Sequence, residues 1–214
     1  MGALARAVAG QLPAGWKVCG TTLAAPEALE TALATLDRPL IFPFFMAEGY
    51  FTRTLLPLRL QAAGSGGLRR LAAFGHTPGL PELTARAALQ GAATAGLEPG
   101  ETTLLLAAHG SKISRASATG AQAMAARLAA LAPFARVLTG FVEEHPLIQT
   151  IAADLHPAIC LPFFALRAGH VTDDVPRALA IAGFRGILLP AIGEHPGAAH
   201  LIAAALQQAA SDAK

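Results

Sequence analysis

LPFFALRAGHVTDDVPRAL (161–179) has a near-copy upstream, FPFFMAEGYFTRTLLPLRL (42–60). The later copy carries His170 where alignment of the two glycines sets Tyr50 in the earlier one. The likeness extends beyond this stretch. Gly20-(x5)-Pro26 matches Gly140-(x5)-Pro146, and FGHTPGLPEL (74–83) matches IGEHPGAAHL (192–201). Anchors in the same order indicate a duplicated chain. The expected lobes are 1–98 and 99–214, joined by the Gly/Pro-containing LEPGETT (97–103).

Each copy alternates short apolar runs with alanine-rich stretches of helical length. In the second copy the strands are expected at 103–107, 135–141, 158–163 and 186–191, and the helices at 114–131, 146–155, 172–183 and 197–210. The first copy predicts strands at 15–20, 39–44 and 68–74 and helices at 26–36, 53–63 and 80–94, with no counterpart of the second copy's opening strand. The strands are apolar throughout instead of alternating, which fits a sheet covered on both faces. Strand–helix–strand order makes that sheet parallel and doubly wound, an α/β fold.

Bulk composition narrows the function classes. Of 214 residues, 53% are hydrophobic and only 14% charged, which excludes a disordered chain. Apolar runs stay far below the ~20 residues of a membrane-spanning helix, and the start is too weakly apolar for a secretory leader. A cytoplasmic location is expected. A net charge of +2, scattered along the chain, is no nucleic-acid footprint. Cys19 and Cys160 lie in apolar runs and are expected to be buried free thiols.

Polar residues concentrate where strands end. His109 follows the first strand of the second copy, Glu143, Glu144 and His145 the second, His170 the third, and Glu194 and His195 the fourth. In a parallel sheet all four positions fall on one rim, where ligands bind. Each has a plainer explanation as a cap or a packed polar group, and Asp173 and Asp174 suit the first turn of a helix. The convergence of four loops favours function. Two imidazoles with a nearby carboxylate suit a first-row divalent ion. HExxH, CxxC, GxSxG and a phosphate-binding loop are all missing, which argues against a zinc protease, a serine hydrolase and a phosphate-loop enzyme.

LLLAAHGSK, GFVEEHP, LPFFALRAGHVTDDVP and AIGEHPG together resemble the sirohydrochlorin chelatases, class II tetrapyrrole chelatases. The resemblance covers nearly all of the second copy and reaches the first through the duplication. It implies two flavodoxin-like lobes facing each other across a cleft, and ATP-independent insertion of Fe²⁺ (toward sirohaem) or Co²⁺ (toward cobalamin) into sirohydrochlorin. It implies no cofactor beyond the metal substrate. Carried over residue by residue, His109 and His170 are the metal-binding and catalytic histidines, and Glu143 is their acidic partner with Glu144 as rival. The substrate's carboxylates and apolar ring would be met by Ser111, Lys112, Arg115, Arg167, Phe164, Arg53 and His195. Lys112 stands where the family has Arg, which keeps the charge but loses the bidentate fork. A monomer is expected, since a duplicated chain can form its own cleft, with a dimer as the alternative. The alternative is a non-catalytic carrier of metal or tetrapyrrole.

Overall fold

The computed structural model describes residues 2–111, 115–167 and 169–212. Four helices come first: α1 (Gly2–Ala9), α2 (Ala28–Ala34), α3 (Leu56–Ala62) and α4 (Leu80–Thr94). Strands and helices then alternate through β1 (Thr103–Ala108), α5 (Ala116–Leu131), β2 (Arg136–Phe141), α6 (Ile148–Ile151), β3 (Ala158–Pro162), α7 (Val175–Ile181) and β4 (Ile187–Leu188). Helix α8 (Gly197–Ser211) follows. Two π-helical turns, Phe51–Leu55 and His170–Asp174, lead into α3 and α7.

The chain divides into two compact units, Gly79–His195 and Met1–Pro78 with Pro196–Lys214. The boundary expected near residue 98 therefore does not separate them. Helix α4, expected in the first lobe, packs on α5 and β3, whereas α8, expected in the second, lies against α1. Each helix buries an alanine-rich apolar face, including Leu83, Ala85, Ala88 and Ala92 on α4 and Ala199, Ile202, Ala203 and Leu206 on α8.

The unit 79–195 is built on a four-stranded parallel sheet in the order β2-β1-β3-β4. All six residues of β1 and all five of β3 are buried, because helices cover both faces. Side chains alternate across the sheet. On one face Leu105, Ala107 and Cys160 pack with Ile148 and Ala152 near α6 and with Val175 and Leu179 of α7. Burial pushes the Cys160 thiol far up, so it behaves as a small apolar side chain. Cys19, by contrast, is exposed, since its segment joins no sheet.

The unit holding the first copy departs from expectation. Among the described residues, 15–20, 39–44 and 68–74 form no strands, and a single parallel bridge joins Ile41 to Arg70. In the other unit β2 and β3 never pair with each other; each pairs with β1. Among the described residues no strand stands between 15–20 and 39–44 in that way, and neither run enters a ladder. What survives matches the short β3–β4 pairing, with Ile41 N–H donating to Arg69 O and Leu71 N–H to Ile41 O. Leu29, Leu56 and Leu60 form the local core, and Arg59 bridges both oxygens of Glu30 at 2.9 Å, joining α3 to α2.

Several details recur in the two units. Each π turn is followed two residues later by proline (Pro57, Pro176) near the start of its helix. Gly75 N–H donates to Phe45 O at 3.0 Å, and Gly193 N–H donates to Phe164 O at 3.0 Å. A Cβ on Gly193 would lie 2.0 Å from Ala165 O, and one on Gly75 only 1.7 Å from Met46 O. Only glycine allows that backbone approach.

Two stability predictions follow from these contacts. Gly193→Ala is expected to destabilise the protein by about 1–3 kcal/mol or more, whereas Gly120→Ala, in α5 with nothing within 4 Å of the new Cβ, should stabilise it by about 0.5–1 kcal/mol. Urea denaturation midpoints at constant slope check both. Burial works against the Glu48 carboxylate, but the Ala73 N–H at 2.9 Å, Thr52, His76 and Arg53 together hold it below the usual carboxylate range. A depressed carboxyl stabilises above its unfolded value and loses that contribution as pH falls through its folded value. Glu48→Gln should therefore flatten the fall in stability below about pH 4.5, as read by thermal melts between pH 3 and 7.

Candidate metal-binding site

Strand order decides where a site can form. Chain connections leave β1 toward β2 on one side, while β3 lies on the other, so the loops after β1 and β3 part at a topological switch point. Ala107 pairs with Pro162 at the ends of these strands. His109 lies two residues beyond Ala107, and His170 opens the π turn that follows the β3 loop. The two histidines are thus delivered to the same crevice.

Their Nε2 atoms are 2.9 Å apart and their rings are nearly perpendicular, at 75°. The opposite nitrogens are both engaged. His109 Nδ1 lies 2.8 Å from the carbonyl of Gly110, and His170 Nδ1 lies 2.8 Å from Asp174 Oδ2. A carbonyl and a carboxylate only accept, so the hydrogen-bond network assigns a proton to each Nδ1. Each Nε2 is left with a lone pair, and the two lone pairs face each other. Such a contact is repulsive until something positive, a proton or a cation, shares it.

The neighbouring loop backs His109. Val142 N–H and Glu143 N–H donate to the carbonyls of Ala108 and His109, extending the β1–β2 pairing into the loops. Glu143 Oε2 approaches His109 Nδ1 at 3.9 Å, on the side away from His170. Glu144 instead turns toward Gly110, and its Oε2 accepts the Ser111 N–H at 3.3 Å. Gly110 has φ +70°, and a Cβ there would strike Glu144 Cγ at 2.7 Å and Phe141 Cβ at 2.9 Å. Residues Ser111, Arg115, Val142, Glu143, Glu144, His145 and Leu147 line an open cavity of ≈ 1020 Å³.

Phe164 is buried beside both imidazoles, its ring centroid 6.5 Å from that of His109 and 6.3 Å from that of His170. Arg115 and Arg167 are exposed on this unit. His195 follows the turn Ile192–Glu194, and burial, reinforced by Arg86, holds its imidazole below the ordinary histidine range. Arg53 belongs to the other unit, exposed in the π turn Phe51–Leu55. Lys112 lies outside the described residues. The structure thus brings His109, His170, Glu143, Ser111 and Phe164 together. Among the described residues no cluster of three or more His, Cys, Asp or Glu forms a ready-made cage.

Asp174 was read from sequence as a helix-start residue, and its bond to His170 is the feature that reading missed. Its Oδ1 also accepts from Arg177 Nη2 at 2.6 Å. The signal was the four-residue spacing from His170, which sets two side chains on one face of a helical turn.

The CbiX family model matches residues 103–209. Among solved structures, CbiX described as the terminal enzyme for biosynthesis of siroheme in denitrifying bacteria shares 47% identity over 97% of this chain and 89% of its own, with a TM-score of 0.88. SirB from Bacillus subtilis, solved with Fe³⁺, is 12% identical over 99% of this chain and 89% of its own, with a TM-score of 0.77. DR2241 from Deinococcus radiodurans, a multi-domain protein with structural similarity to chelatases, is 24% identical over 78% of this chain and 40% of its own, with a TM-score of 0.64. The last two likenesses concern the fold alone. No curated protein matches the chain. Identity close to one half across almost the whole length decides the matter: this chain belongs to the CbiX family.

Proposed function

We propose that the protein is a sirohydrochlorin chelatase that inserts a divalent metal, Fe²⁺ in preference to Co²⁺, without ATP. The observation that carries this reading is the pair of Nε2 lone pairs facing each other at 2.9 Å. Two metal–nitrogen bonds of about 2.0–2.1 Å at a right angle span about 2.9 Å between nitrogens, so the pair suits adjacent positions around a six-coordinate ion. Neutral imidazole and a carboxylate-backed second nitrogen are the usual donor arrangement for first-row metals. Iron is favoured because the relative at 47% identity is described as the terminal enzyme of siroheme biosynthesis.

Insertion exchanges one M²⁺ for two pyrrole N–H protons. His109 and His170 hold the ion through Nε2 and release it to the macrocycle nitrogens. The lone pairs freed by that transfer, with Glu143 beside His109, are where the displaced protons go. Sirohydrochlorin carries eight carboxylates around an apolar ring. Arg115, Arg167, Ser111, Lys112 and His195 are assigned to the carboxylates and Phe164 to the ring. The assignment of Arg53 rests on the sequence repeat. That repeat is part of the proposal too: the paired π turns, the prolines after them and the Gly75 and Gly193 contacts support descent of both units from one duplicated lobe.

The test is an anaerobic absorbance assay with sirohydrochlorin and either Fe²⁺ or Co²⁺. Wild-type protein should accelerate the spectral change of insertion, faster with Fe²⁺, and His109→Ala and His170→Ala should each lower the rate on the order of 10²-fold. No acceleration with either ion defeats the proposal, and tight binding of the tetrapyrrole without turnover would make the protein a carrier.

A further inference from the structure

We infer that Asp174 and Arg177 form a positioning relay in which the Asp174 carboxylate fixes the tautomer of His170 and Arg177 anchors its other oxygen. The consequence for metal rests on the function proposed above; the tautomer itself does not.

Asp174 stands at the end of the π turn, and its two oxygens serve two donors on different elements. Oδ2 accepts from His170 Nδ1 at 2.8 Å, four residues back, and Oδ1 accepts from Arg177 Nη2 at 2.6 Å, three residues ahead on α7. The Asp174 side chain is only 25% exposed, so these bonds replace most of its hydration. A carboxylate is symmetric and can take a proton donor on each side. While it does so, the His170 proton stays on Nδ1 and Nε2 presents its lone pair toward His109. Neutral imidazole in water prefers the opposite tautomer, so this state needs an acceptor such as Asp174 to hold it.

Asparagine at 174 has nearly the same shape but only one acceptor atom. Arg177 can only donate, so it draws the amide oxygen to its own side. The amide NH2 then faces His170 Nδ1, which must accept, and the ring proton moves to Nε2. That proton would occupy the direction in which a metal has to bind. Removing the Arg177 guanidinium frees the amide to turn its oxygen back to Nδ1. Arg177 is 72% exposed, so its pull is modest, and the rescue should be partial.

The experiment is long-range 15N–1H correlation of histidine-labelled, metal-free protein at pH 8, paired with a Co²⁺ absorbance titration. Wild type should show His170 protonated on Nδ1. Asp174→Asn should shift it mainly to Nε2–H and weaken Co²⁺ binding by about 10- to 100-fold. Adding Arg177→Ala to that variant should return part of the Nδ1–H population and several-fold of the affinity. His109, whose Nδ1 bonds to Gly110 O and not to Asp174, should keep its tautomer throughout, which shows that the variants remain folded. An unchanged His170 tautomer in Asp174→Asn overturns the relay, and an unchanged mixture on adding Arg177→Ala overturns the role of Arg177. If the tautomers move as described but wild type binds neither Co²⁺ nor, under anaerobic conditions, Fe²⁺, the relay stands and the metal-inserting function falls.

Discussion

Everything at the site depends on keeping two imidazole lone pairs 2.9 Å apart and pointed at each other. Left alone, neither ring would stay there. Each would turn toward water or donate a proton to a neighbour. What prevents this is a set of groups that only accept, the Gly110 carbonyl behind His109 and the Asp174 carboxylate behind His170. Those acceptors are in turn set by backbone geometry. Gly110 reaches its position with a left-handed φ that brings it against Phe141 and Glu144, and Asp174 reaches its own through the π turn. There the Val175 N–H bonds to His170 O, one residue further than in an α-helix. Pro176 follows directly and has no N–H to extend an α-helical ladder backward.

The parallel sheet supplies the rest of the constraint. Adjacent parallel strands end side by side, so His109, just past β1, meets His170 at the far end of the loop that follows β3. Phe164 closes the inner side, and its packing with Val175, Leu179 and Ala191 couples ring placement to the core. A change that loosens this cluster is felt at the imidazoles because interiors are close-packed and transmit small displacements.

The sheet-bearing unit was legible in the sequence because β1 and β3 are continuous, fully buried apolar runs, with β1 standing between β2 and β3. Its strand and helix order is as read, with β4 shortened to Ile187–Leu188, both 40% exposed at the edge of the sheet. The other unit was misread for a pairing reason: apolar runs at 15–20 and 39–44 have strand composition, yet among the described residues neither pairs beyond the bridge from Ile41 to Arg70. The exchange of α4 and α8 between units was likewise invisible, since an alanine-rich helix carries no mark of which surface it will cover. At the site, the histidines and Glu143 stood out by their position after strands. Asp174 did not, because an acid at a helix start has an ordinary explanation that its bond to His170 supersedes.

The two π turns also bear on the proposed duplication. Counted through the turns and the prolines after them, His170 is matched by Phe51, not Tyr50. Phe51 lies over Phe45 with centroids 5.8 Å apart and planes 8° off parallel, and His170 lies over Phe164 at 6.3 Å and 25°. Within the proposed duplication, what persisted is the turn and an aromatic ring on an aromatic ring. A donor pair needs both members. Among the described residues the ring neighbours of Phe51 are Phe45 and Tyr50, so an imidazole at 51 would meet no second imidazole there. Phe51 is 52% exposed, so what its position keeps is an aromatic ring stacked on Phe45.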